Sequence, residues 1–135
     1  MTQIATSTAT DRLLRAVTNP GTPVDDIYAA DAVFDATVPG SRFAVRTAPS
    51  IGYQFAEWFR DPGTFEELER HATPTGEVVE YTIMWEEDGV PHAAHHVHVL
   101  TIDATTDRVT SDRFWCGGRW PASLLAKMES ARHDG

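Results

Sequence analysis

One cysteine, Cys116, and one lysine, Lys127, stand in a chain of 135 residues, and each scarcity removes a class of structure. A lone cysteine closes no disulfide within the chain, and no CxxC or Cys/His spacing around it fits a structural zinc site. All other basic side chains are arginine, and 11 basic residues face 20 acidic ones for a formal net charge of −9. Neutralising a nucleic-acid backbone takes clustered lysine and arginine, so this balance argues against a nucleic-acid partner. Long apolar runs are missing too. Nothing approaches the roughly 18 to 20 residues of a membrane span, and Met1 to Thr10 lacks the basic start and apolar segment of a signal peptide. The expectation is a cytoplasmic protein without a membrane partner. The length fits one domain closed around a small-molecule pocket and is too short for two catalytic domains.

No internal repeat or low-complexity segment breaks the chain. The Thr/Ser/Ala-rich stretch 1–9 and residues 128–135 read as flexible ends, which leaves residues 10–127 as a single domain. Thr10 or Asp11 caps a first helix with Leu13, Leu14 and Val17 on one face, ended by Asn19-Pro20-Gly21. Thr22 and Pro23 predict a second helix that buries Val24, Ile27 and Tyr28 and closes at Asp31. A strand follows over Ala32 to Val38, with Phe34, Ala36 and Val38 on one face and Val33, Asp35 and Thr37 on the other. After a polar connection, Ile51, Phe55 and Phe59 recur at a helical spacing of four, a third helix over Ser50 to Phe59. The segment Phe65 to His71 is ambiguous, being helix-prone in sequence but surrounded by sheet.

From Gly76 the chain alternates as strands do. Val79, Tyr81, Ile83 and Trp85 share a face, Asp88-Gly89 is a hairpin turn, and Arg108 to Cys116 is a last strand with Asp112, Phe114 and Cys116 on one side and Arg113 and Trp115 on the other. Helices first and an antiparallel meander last indicate an α+β fold. Between the turns lies His92-Ala-Ala-His95-His96-Val-His98, four of the six histidines within seven residues. On a strand His92, His96 and His98 share one face and His95 takes the other. Histidine titrates nearest neutral pH, so the cluster points to acid–base chemistry or metal binding.

The order of these elements, with Tyr28-Ala-Ala-Asp31-Ala-Val-Phe before the first strand and turns at Asp88-Gly89 and Asp107-Arg108-Val109, resembles the nuclear transport factor 2-like superfamily. Ketosteroid isomerase, scytalone dehydratase and the SnoaL-like polyketide cyclases belong to it. The resemblance covers Asp11 to Cys116. It implies a cone: three N-terminal helices packed on a strongly curved antiparallel sheet, mixed at its edge, enclosing an apolar pocket. It also implies that Phe65 to Ala72 is a strand. The spacing from Trp85 to His98 is similar to that of ketosteroid isomerase and would put His98 at that enzyme's oxyanion-stabilising position. The catalytic base of that enzyme would fall near Ala36, which takes no proton, and the first helix holds no tyrosine for a second oxyanion donor.

With that face turned inward, the implied catalytic set is His98, Asp112 and His96. The implied substrate-binding set is Tyr81, Ile83, Trp85, Leu100, Phe114, Cys116, Phe34 and Phe55. Neighbouring strands lie ~4.8 Å apart, so Asp112 can reach His98 or His96, fix an imidazole tautomer and raise its basicity. The expected function is a cofactor-independent isomerase, dehydratase or cyclase acting on a small apolar carbonyl or polyketide-like molecule. The alternatives are a non-catalytic binding or dimerisation module, and a metal-dependent enzyme using His96 and His98 with Asp112 or Cys116 as third ligand. No metal ligand is assigned in the leading reading. The competing structural reading makes the histidines hydrogen-bonding members of a polar core or a dimer interface, Cys116 a small buried hydrophobe and Arg119 an ordinary ion-pair partner. Asp35 is a reserve base, needing a one-residue bulge to turn inward. Val97, Val99, Arg113 and Trp115 on the outer face predict a homodimer packed sheet to sheet.

Overall fold

A computed structural model describes residues 8–134, with side chains to residue 132; most of the expected flexible N-terminus therefore lies outside the described residues. The first helix, α1 (Ala9–Thr18), starts a few residues earlier than the sequence implied. Thr8 and not Thr10 is its cap: the Asp11 N–H donates to the Thr8 hydroxyl and the Thr8 N–H donates to the Asp11 carboxylate, a reciprocal box that satisfies two orphan donors. Leu13, Leu14 and Val17 are buried, as the apolar stripe requires.

The helix expected over Thr22 to Asp31 does not form. Val24 to Ile27 makes one turn, its carbonyl at Val24 accepting from the Ile27 and Tyr28 N–H groups, and the chain then enters strand β1 (Tyr28–Val38). The sheet outcompetes local propensity here. The Val109 N–H donates to the Ile27 carbonyl at 2.8 Å, Tyr28 pairs with Val109, and the Tyr28 ring is buried. Pro39-Gly40 turns β1 into β2 (Ser41–Arg46), a strand hidden in what reads as a polar connection because Phe43 and Val45 alternate with solvated residues. Helix α2 (Ala48–Trp58) carries Ile51 and Phe55 inward. So two helices precede the main meander, and a third, α3 (Ala122–Asp134), lies at the C-terminal end, extending over residues 128–134, which the sequence reading takes as part of a flexible end.

Four long strands complete the sheet: β3 (Gly63–Thr73), β4 (Gly76–Glu87), β5 (Val90–Asp103) and β6 (Arg108–Cys116), with a two-residue β7 (Trp120–Pro121) beside β5. The order β2-β1-β6-β5-β4-β3 is antiparallel throughout except at the β1–β6 pair, which is parallel. The helix-prone stretch from Phe65 is strand, as the resemblance implied, and it carries the mark of its local preference. Pairing with β4 slips between Glu66 and Glu69, where Glu67 adopts a left-handed φ of 55°. Further slips lie between Tyr28 and Val33 and between Thr101 and Ile102. Such bulges bend a sheet, and the bent inner face packs against α1 and α2 through Phe34, Val79, Tyr81, Leu100, Val109 and Phe114.

The start of β4 leaves no room for a side chain. A Cβ built on Gly76 would stand 2.0 Å from the Leu100 carbonyl oxygen, a backbone atom on the paired strand. Gly76→Ala therefore destabilises the fold by about 1–3 kcal/mol, the cost of overpacking, read as a lower urea midpoint.

Candidate functional site

Strand alternation delivers the site. On β5 the residues Ala94, His96, His98 and Leu100 face inward, on β6 Asp112, Phe114 and Cys116 do so, and on β4 Tyr81, Ile83 and Trp85. Tyr81 lies directly opposite His96, while His98 is offset by one inward step from both Tyr81 and Asp112, since its direct partners are Val79 and Phe114. These diagonal relations place four polar side chains in a row.

The row begins at Asp112, whose side chain has no exposure. Its carboxylate accepts from the Tyr28 hydroxyl at 2.7 Å and from His98 Nδ1 at 3.0 Å. His98, also fully buried, uses its other nitrogen, Nε2, at 2.8 Å from the Tyr81 hydroxyl. The Tyr81 oxygen lies in turn 3.1 Å from His96 Nδ1. Burial drives the phenol pKa values of Tyr28 and Tyr81 well above their ordinary range, and the neighbouring Asp112 charge adds to it, so both hydroxyls keep their protons. His96 is held neutral, its pKa pushed down to about 3 by burial first and then by repulsion from His98 and His95.

Only the last member of the row reaches open space. A cavity of about 370 Å³ is walled by Trp58, Phe59, Ile83, Trp85, Ala94, His96, Phe114 and Cys116. The His96 ring stands edge-on to Phe114 at 4.7 Å and to Phe59 at 6.0 Å. Nε2 of His96 has no hydrogen-bond partner among the described residues, and it is not among the sealed unpartnered atoms; it opens into the cavity. The cavity is not the closed interior of a cone. It opens past Glu57, Arg60, Asp61 and Arg119, and Arg119 lies over the Trp85 ring while pairing with Glu87.

The sequence-derived set therefore divides by depth. His96, Ile83, Trp85, Phe114 and Cys116 line the cavity; His98, Asp112 and Tyr81 stand behind it; Leu100 and Phe34 belong to the core, and so does Phe55, which also borders a second groove between α2 and residues 21–25. Burial raises the Cys116 thiol pKa, which leaves it a poor nucleophile. Asp35 faces outward in a two-pronged pair with Arg42, at 3.1 and 2.8 Å, so no bulge turns it inward. His92 stacks on Trp85 near the hairpin, and His95 points to the outer face, bonded to Thr82 and Glu80. His96 and His98 do not converge on a common point, because three of their four ring nitrogens are engaged within the row; among the described residues no group of three or more His, Cys, Asp or Glu is placed to hold a metal ion. Sequence reasoning missed Tyr28, whose hydroxyl closes the row, and the wall supplied by Trp58, Phe59 and Ala94. Trp58 sits one residue before Phe59 in a helix whose inward stripe was read from Ile51, Phe55 and Phe59 alone.

This architecture is the nuclear transport factor 2-like fold. A protein of ketosteroid isomerase-like fold from Catenulispora acidiphila, in complex with trimethylamine, superposes at a TM-score of 0.64 with 16% identity, covering 90% of this chain and 92% of that one. A Shewanella denitrificans protein described as a SnoaL-like polyketide cyclase gives 0.64 at 15% identity, covering 91% and 97%. A protein designed de novo with a curved β-sheet gives 0.56 at 8% identity, over 79% and 83%. No family model matches the sequence, and no curated protein matches it. The likeness is one of fold, and a designed protein among the neighbours underlines that the fold alone names no activity.

Two measurements check the buried row. Asp112→Ala leaves His98 and Tyr28 without their acceptor and costs about 3–5 kcal/mol in urea unfolding, the range for breaking a buried pair from one side. As for pH, His96 is neutral in the folded protein down to about 3 and titrates near 6.5 when unfolded. Between those values the unfolded chain binds the extra proton, so stability falls as pH falls through this window. His96→Gln removes that share of the slope.

Proposed function

We propose that the protein is a cofactor-independent acid–base catalyst, an isomerase, dehydratase or cyclase, acting on a small, largely apolar carbonyl compound. The observation that carries this reading is the unpartnered Nε2 of His96, a neutral imidazole nitrogen set in an aromatic wall at the end of a buried hydrogen-bonded row. The open Nε2 lone pair is placed to take a proton from carbon next to a carbonyl, although burial makes it a weaker base than free imidazole, and the same nitrogen, once protonated, returns the proton elsewhere on the molecule. His98, the leading candidate from the sequence, is sealed from the cavity with both nitrogens engaged, so His96 takes the contact role and His98 acts through it. Phe59, Phe114, Trp58 and Trp85 suit a flat, hydrophobic ligand. A homodimer through the outer sheet face belongs to the same proposal, supported by Trp115, 40% exposed, beside Arg113.

A ketone with acidic α-hydrogens, 2-tetralone, tests the reading. In deuterated buffer the protein accelerates α-hydrogen exchange above the buffer rate, followed by proton NMR, and His96→Gln lowers the protein-dependent rate by about 10²-fold or more. Binding without any exchange, across this and related cyclic ketones, would instead support a non-catalytic binding module.

A further inference from the structure

The direction of every hydrogen bond in the buried row is set from the Asp112 end. A carboxylate only accepts, so His98 Nδ1 carries a proton toward it, as does the Tyr28 hydroxyl. While His98 is neutral its Nε2 is a lone pair, and the single Tyr81 proton must point at it. The Tyr81 oxygen then accepts from Nδ1–H of His96, which leaves Nε2 of His96 bare on the cavity side. Adding one proton reverses the whole row. His98 Nε2–H donates to Tyr81, the Tyr81 hydroxyl donates to His96 Nδ1, and the His96 proton sits on Nε2.

We propose that His96, Tyr81 and His98 form a proton relay, in which a proton taken from a ligand at His96 Nε2 is stored as an imidazolium on His98 beside the Asp112 carboxylate. The inference rests on the reading of His96 as the cavity base. In the forward step the substrate C–H bond breaks and its electron pair stays on the substrate as an enolate. The proton joins His96 Nε2, the Nδ1 proton passes to the Tyr81 oxygen, and the Tyr81 proton passes to His98 Nε2. The substrate gains one negative charge and His98 one positive charge; the reverse sequence delivers the proton back at another atom. Tyr81 and His98 are positioning residues, since neither touches the ligand.

The resting place of the charge follows from what surrounds each ring. His96 meets Phe59 from the end of α2, Phe114 and its cross-strand partner Cys116 from β6, and Tyr81 from β4, and among the described residues it forms no ion pair with a carboxylate. His98 meets Tyr81 from β4, Phe114 from β6 and, at 3.0 Å, Asp112, which is held in place by Tyr28 of β1. The remaining titratable neighbours are Cys116, at the cavity wall, and His95, which faces the outer side with Glu80. An opposite charge at hydrogen-bonding distance favours the imidazolium, and burial without one opposes it. The depressed pKa of His96 agrees with a nitrogen that passes its charge on.

The test is nitrogen NMR of the ¹⁵N-histidine protein, where two-bond correlations identify each tautomer, during acidification from about pH 8 to about pH 4. The expected result is a coupled change: His98 becomes doubly protonated while His96 stays neutral and moves its proton from Nδ1 to Nε2. In Tyr81→Phe the His96 tautomer no longer follows His98, and exchange of 2-tetralone falls by about tenfold or more with His96 intact. An imidazolium on His96, an unchanged His96 tautomer as His98 protonates, or a row that stays neutral throughout would overturn the relay. Coupled reversal without ketone exchange keeps the relay and removes the catalytic reading. Exchange unaffected by Tyr81→Phe, with no reversal, keeps the base and removes the relay.

Discussion

A carboxylate with no exposure to water, Asp112, constrains the rest of this molecule. Burying such a charge costs several kcal/mol unless geometry and partners are supplied, and the partners come from distant segments: Tyr28, 84 residues away along the chain, and His98, 14 residues away. Their convergence requires the β1–β6 pair to be parallel, β1 to begin as early as Tyr28, and β5 to hold its register on β6. A slip of one residue on β6 would bring Arg113 into the core and send Asp112 to solvent. The charge therefore adds to the apolar alternation in specifying the register of the sheet.

The same constraint explains what the sequence disclosed and what it concealed. Period-two alternation along β4, β5 and β6 is dense enough that the inward set, and the closeness of Asp112 to His98, follow from strand geometry. Local signals fail where long-range pairing decides. Thr22-Pro23 is a sound helix start in isolation, but the backbone of Ile27 and the ring of Tyr28 are claimed by β6, so the segment stops after one turn. Strand β2 is short and only half-buried at Phe43 and Val45, too few alternating positions to stand out. Phe65 to Ala72 forms strand against its own propensity because β4 offers it a ladder, and the conflict is absorbed in the bulge at Glu67.

For the site, face could be read from sequence but depth could not. Alternation assigns His96 and His98 to the same side of β5 with equal weight, whereas the curvature of the sheet and the helix lying over it decide which of them meets open space. The end of α2 lies beside His96, where Phe59 edges the ring and walls the cavity with it, while His98 is fully buried. Tyr28 escaped because its role depends on a contact 84 residues away.

The bulged strand β3 has a further effect at the margin of the sheet. It is the terminal strand, much of it exposed, with Glu66, Glu67 and Glu69 in a row and Leu68 41% exposed among them. An unpaired ladder of this length is a template onto which a second sheet could grow. Two such edges brought together would oppose carboxylates to carboxylates, and the kink at Glu67 breaks the straight run of donors and acceptors that lateral growth needs. The irregularity that resolves a conflict of propensity within one molecule thereby also works against fibre-like stacking between molecules.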